Sequence, residues 1–265
     1  MRLNRMRLTL LATLLLALLR IPVTLAVQAL LPDVTVNPTA NYLAAMAQSL
    51  LMFALPGWLL KPDWRMPPAE GKEKLGWALM SAGAAMTVRA VVTPLNAGWS
   101  ALLGSESQVR LVAGSSGEWA LMILALAIVP ALAEEIFFRG ALLPNLLQGA
   151  SRMQALLLTT LLFALMHGSL PGLPGHLLVS LLLTLLMMHS GRLIVPVGVH
   201  MLYNILALCC PEIPAAAGWL CGIMLAALLG WLLVRLPRGK ARRMTAADTL
   251  WAVGILAVMA GMYLI

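Results

Sequence analysis

Hydrophobic residues run along this chain in long blocks, and polar residues gather in the short intervals between them. The pattern gives nine apolar runs, at about residues 8–31, 42–60, 75–103, 118–148, 153–167, 175–190, 192–209, 216–234 and 246–265. A helix needs about 20 such residues to cross a bilayer, whereas a membrane barrel shows short alternating segments. The pattern therefore predicts helices. The third and fourth runs are long enough to require tilt, overhang or a break. Pro130 and Pro144 are where the fourth run is expected to break.

Composition excludes a soluble bundle. The chain has 265 residues, 61% of them hydrophobic and only 11% charged. No soluble domain of this size can hide so much apolar surface, so lipid must solvate it, and backbone groups in lipid must be satisfied within helices. The expected fold is all-α: one integral membrane domain over residues 1–265, a polytopic bundle of about nine transmembrane helices with membrane lipids as partners. The first run has a basic start and a leucine-rich core, like a signal peptide, but it continues past Arg20 to Leu31 and reads as an uncleaved span.

Charge gives the orientation. With a cytoplasmic N-terminus, one side of the membrane collects Arg2, Arg5, Arg7, Lys61, Arg65, Lys72, Lys74, Arg152, Arg192, Arg235, Arg238, Lys240, Arg242 and Arg243. Those are fourteen of the 18 basic residues; Arg20, Arg89 and Arg139 fall inside runs, and only Arg110 lies on the other side. The asymmetry places the N-terminus inside and the C-terminus outside. The net charge of +8 thus marks topology, and no basic patch interleaved with aromatics points to nucleic acid. The linker between Lys61 and Lys74, with three prolines, is expected at the cytoplasmic surface. Cys209, Cys210 and Cys221 form no CxxC pair and read as small core residues.

Ionisable residues interrupt three of the later runs. Ala133-Glu134-Glu135-Ile136-Phe137-Phe138-Arg139 lies deep in the fourth, where each charge costs about 2.5–3.5 kcal/mol on translocon scales. Glu135 and Arg139 are four apart and share a helix face, so they are expected to pair. Glu134 points about 100° away and lacks that partner, which leaves it available to accept and return a proton. His167 ends the fifth run. His200 and Asn204 share a face of the seventh; they suit joint metal binding, the orienting of a water, donation to an oxyanion, or plain hydrogen bonding between helices. At about 1.5 Å per residue, Glu134, His167 and Asn204 all lie roughly 20 Å from the cytoplasmic ends of their runs, so they can meet at one level. His176 and His189 have no such partners in the pattern and read as loop-proximal or interfacial.

Glu134-Glu135-x-x-x-Arg139, Phe163-x-x-x-His167 and His200-x-x-x-Asn204 resemble, in that order, the signature motifs of the CPBP family. This is the group of CAAX-type prenyl endopeptidases and bacteriocin-processing proteins, also called the abortive-infection family. The resemblance covers about residues 118–210, the expected catalytic core. It implies hydrolysis of a peptide bond in a membrane-embedded, lipidated or secreted-peptide substrate. Glu134 would be the general base and His167 would help activate the attacking water. His200 and Asn204 would stabilise the oxyanion, with Glu135 and Arg139 as the supporting pair. Prenylated substrates belong to the expected partners. Zinc is an alternative, since two histidines, a glutamate and water suit its tetrahedral preference; the absence of HExxH and the rarity of Asn as a ligand favour a mechanism with no metal or other cofactor. A bacterial cytoplasmic membrane is the expected location.

Other readings are weaker. Gly114-Ser115-Ser116-Gly117 fits a rhomboid-like GxSG pattern, but Ser115-x-x-Glu118 reads better as a capping box opening the fourth span. No span carries Asp in a GxGD setting. A transporter or a non-catalytic immunity protein would use the same polar cluster as a binding site, with Arg20 and Arg89 in a solute pathway, in packing, or docking a substrate's C-terminal carboxylate. Against transport, the halves show no inverted repeat.

Overall fold

The computed structural model describes residues 5–30, 37–60, 74–105, 116–210, 215–236 and 243–263. The linker expected at 61–74 lies almost wholly outside them, and so does Ser115 of the expected capping box. Among the described residues every regular element is a helix: α1 Arg5–Leu30, α2 Pro38–Leu59, α3 Lys74–Leu102, α4 Gly117–Leu146, α5 Arg152–Met166, α6 Leu173–Ser190, α7 Ile194–Cys209, α8 Ala215–Val234 and α9 Ala246–Gly261. These nine helices fall on the nine apolar runs, because both helix and run end where backbone and side chains return to water. Stretches of α1, α2, α4, α6 and α8 are long and apolar enough to span a membrane; α5, α7 and α9 are apolar but shorter.

The protein is thus a multi-pass helical bundle with α4 near its centre. That helix packs against α1, α2, α5 and α7, while α6 packs against α3, α5, α7 and α8. The first and last helices run side by side, and Arg7 near the start of α1 donates to Asp248 near the start of α9 at 2.6 Å. Their starts lie at the same face, as an odd number of spans requires.

Pro130 and Pro144 do not break α4, contrary to the sequence expectation. Each follows a wide π turn, Leu124–Ile128 and Ile136–Leu142 respectively. Pro56 in α2 follows a third, Leu50–Ala54. A proline lacks the amide hydrogen and crowds the carbonyl one turn back; widening that turn relieves the clash and keeps the helix continuous. The two turns in α4 flank Glu134 and Glu135, so the carboxylates sit on a short α-helical segment between widened ones.

Close approach of α2 fixes the second π turn. A Cβ on Gly57 would lie 2.9 Å from Ile136 Cγ2 and 3.0 Å from the Phe137 backbone. Only a glycine lets the two helices meet there without displacement. All four phenylalanines of the chain gather beside this crossing. Phe53 touches Phe137 and Phe138, and Phe138 meets Phe163 with ring centroids 5.0 Å apart, edge to face. This aromatic block ties α2, α4 and α5 together directly beneath the ionisable residues.

Two smaller expectations fail. Cys209 and Cys210 are exposed rather than core residues, because they lie where α7 ends beyond its packed stretch. His189 is buried in α6, bonded to the Leu232 carbonyl at 2.9 Å and stacked near Trp231, so it joins α6 to α8 rather than facing an interface.

Candidate active site

The fourth helix carries both carboxylates, and its geometry separates them. Glu135 and Arg139 are fully buried and joined at 2.8 Å, as their spacing predicts. The guanidinium also donates to Ser180 Oγ at 2.8 Å and the Ser180 carbonyl at 3.0 Å, and reaches Thr184 Oγ1 at 3.3 Å. Its Cζ lies 4.6 Å from the centre of the Phe163 ring. Arg139 therefore binds α4 to α5 and α6 through one charge. Its planar fork matches several acceptors at once, which a lysine could not do.

The same carboxylate holds His200. Its Nδ1 lies 2.9 Å from Glu135 Oε1, so Nδ1–H donates and the ring is fixed with Nε2 turned the other way. Nε2 then lies 4.0 Å from Glu134 Oε2. His167 is set by a different partner: its Nδ1 lies 2.8 Å from the Phe163 carbonyl one turn back and donates to it. That leaves Nε2 of His167 as an acceptor, 3.7 Å from the same Glu134 oxygen. Two imidazoles thus present Nε2 to one carboxylate atom. Glu134 Oε2 is buried and has no hydrogen-bond partner within the protein.

Asn204, one turn beyond His200, turns its Nδ2 toward the Ala127 carbonyl at 3.5 Å. That carbonyl lies in the first π turn of α4. The contact is at the outer limit of a hydrogen bond, so the amide can turn to another acceptor at little loss.

Glu134 and His167 open onto a cavity of about 330 Å³, whose wall also includes Arg20, Gln48, Ser49 and Pro130. Its lining comes from α1, α2, α4 and the end of α5. The volume is that of a small-ligand site.

His176 belongs to this site, which the sequence reading did not foresee. Its ring stacks on His167 with centroids 4.0 Å apart and planes 25° from parallel. It reaches this place because α6 starts at Leu173, just after the turn that follows α5, so the first turn of α6 returns to the end of α5. Ser180 and Thr184 were equally missed. A pair spaced i, i+4 one helix away from three charges was the available signal. Arg89 lies elsewhere, bonded to Thr93 and, at 3.2 Å, to the Cys210 carbonyl, and serves packing between α3 and the end of α7.

Among the described residues, no group of three or more His, Cys, Asp or Glu side chains is arranged to hold a metal ion. Two oriented imidazoles face Glu134, of which His167 lines the cavity with it, while His200 and the weakly held Asn204 amide lie outside the cavity lining. Residues 116–206 match the family model described as Type II CAAX prenyl endopeptidase Rce1-like. Over this segment, about a third of its length, the chain is similar to that family. None of the curated proteins and none of the solved structures matches it. The match takes in α4 to α7 and all three CPBP motifs. It leaves out α1 and α2, although both help to line the cavity.

Proposed function

We propose that this protein is a CPBP-type intramembrane endopeptidase in which Glu134 activates water without a metal. The observation that carries the reading is the convergence of His167 Nε2 and His200 Nε2 on the unpartnered Glu134 Oε2, next to the cavity. A water resting beside Glu134 gives one proton to that oxygen and directs the other to His167 Nε2, which can only accept. Its lone pair then attacks the scissile carbonyl carbon.

The charge that develops on the carbonyl oxygen needs donors. His200 donates from Nε2 as an imidazolium, its Nδ1–H kept on Glu135. Asn204 donates from Nδ2 after leaving the Ala127 carbonyl. When the tetrahedral species collapses, Glu134 passes its proton to the departing amine, so the protein ends as it began. Glu135 and Arg139 act by holding His200 and α4 in place. The substrate class is a membrane-embedded, lipidated or secreted peptide, prenylated peptides included, and the setting a bacterial cytoplasmic membrane.

Glu134→Gln keeps the shape and removes the base. Cleavage of a reporter peptide by the purified protein is expected to fall by about 10²–10⁴-fold, with insertion and thermal unfolding unchanged. Full turnover by that variant would end the proposal. Peptide profiles of membranes carrying either form would reveal the natural substrates. Turnover is also expected to survive exhaustive chelation; stoichiometric zinc whose removal stops the reaction would refute the metal-free route.

A further inference from the structure

Arg20 is the one charged side chain of the cavity wall that the proposed mechanism leaves unused. It lies in the second half of α1, in a segment otherwise as apolar as lipid. Such a cation is costly unless it is paired. Among the described residues no carboxylate lies within ion-pair distance of it. Its hydrogen bond goes to the Met166 carbonyl, at 2.8 Å, next to His167. A guanidinium has five N–H donors, so most of the fork is left for an acceptor from outside the chain.

The backbone is built around this guanidinium. Gly168 has φ +59, a conformation that side chains rarely adopt, and a Cβ there would collide with both Nη atoms of Arg20. A side chain at 168 would therefore evict the cation. Arg20 lines the cavity that holds Glu134 and His167, with Gln48 and Ser49 as further polar groups on the α2 side. The remaining lining, including Met52, Phe53, Ala125 and Leu126, is apolar.

We propose that Arg20 is the residue that binds the terminal carboxylate of the peptide substrate. This rests on the peptidase reading above. A cavity of about 330 Å³ is at the small end of ligand sites, so it accepts the end of a chain rather than a passing helix. A chain end brings a charge with it, and a planar guanidinium matches a carboxylate with two parallel hydrogen bonds. Apolar walls exclude water from that pair and strengthen it.

The test uses full-length protein in nanodiscs carrying Glu134→Gln, so that binding is read without turnover. The probes are a dansylated apolar pentapeptide with one S-farnesyl cysteine and a free carboxyl end, and the same peptide as its amide. The acid is expected to bind about tenfold more tightly than the amide, and adding Arg20→Gln should reduce the ratio to below twofold. Arg20→Lys, which keeps the charge and loses the fork, should fall between, and it decides the matter if the glutamine variant does not fold. Equal binding of acid and amide, no saturable binding of either, or a ratio untouched by both variants overturns the inference. If Arg20→Gln weakens both probes alike, and only in anionic lipid, a phospholipid headgroup is the ligand and the inference fails. The two readings separate cleanly. Acid preference lost with Arg20 but no cleavage by the unaltered protein sinks the peptidase, while Glu134-dependent cleavage indifferent to the amide sinks only the role of Arg20.

Discussion

Glu134 and Glu135 are neighbours in the chain, yet their surroundings are opposite. Glu135 is fully buried, and its Oε1 takes hydrogen bonds from both Arg139 and His200, while its Oε2 takes none. Glu134, about 12% exposed, has no such bonded cation and faces two imidazole nitrogens at 3.7 and 4.0 Å. The first arrangement fixes geometry; the second leaves a carboxylate at the cavity wall, where the proposed mechanism uses it as a base. A helix turned by 100° per residue puts adjacent side chains into different environments, so one dipeptide supplies both. A buried carboxylate held by a cation and a histidine fixes structure, whereas one with no direct hydrogen bond is free to take up a substrate or water.

Removing Arg139 should break this contrast most severely. Arg139→Ala strands the Glu135 carboxylate with no exposed surface, and a broken buried pair typically costs about 3–5 kcal/mol. Denaturant unfolding in detergent should show that loss. Glu134→Gln should show almost none, within about 1 kcal/mol, because no hydrogen bond within the protein is lost at Oε2. Similar destabilisation by the two variants would erase the proposed division of labour. His200→Ala belongs between them. It deletes a hydrogen bond to a buried carboxylate, worth about 1.5–3 kcal/mol, and removes the proposed oxyanion donor, so stability and turnover should fall together.

The difference between the two carboxylates was legible in the sequence, because it follows from helix periodicity alone. The i, i+4 spacing predicted the Glu135–Arg139 pair and left Glu134 without a partner. The helix positions were legible too: a span must be apolar for about its whole length, so hydropathy reports it directly. What stayed hidden depends on how helices meet. Pro130 and Pro144 looked like breaks, since the chain does not announce that a π turn will absorb each one. Ser180 and Thr184 are ordinary polar residues until α6 lies against Arg139. His176 appeared to be a loop histidine because its neighbours are Gly172, Pro174 and Gly175. Only the path from α5 into α6 brings its ring onto His167.

That stacking gives the smallest of the expected effects and the finest test of the site. Nδ1 of His167 is fixed by the Phe163 carbonyl, but one hydrogen bond leaves the ring free to rock about that axis. The His176 ring, 4.0 Å away and nearly parallel, limits the motion and keeps Nε2 toward Glu134. An aromatic contact of this kind is worth about 0.5–1.5 kcal/mol, or roughly two- to tenfold in rate if it acts wholly on the catalytic geometry. His176→Ala should therefore lower kcat by about that factor and leave KM unchanged, because the ring is not among the residues facing the cavity. His176→Phe restores a flat ring without a titratable group and should recover most of the rate. Recovery would assign the residue to positioning. Failure of phenylalanine to rescue, with kcat still reduced, would show that the imidazole nitrogens themselves matter. Catalysis would then extend beyond His167 into the first turn of α6.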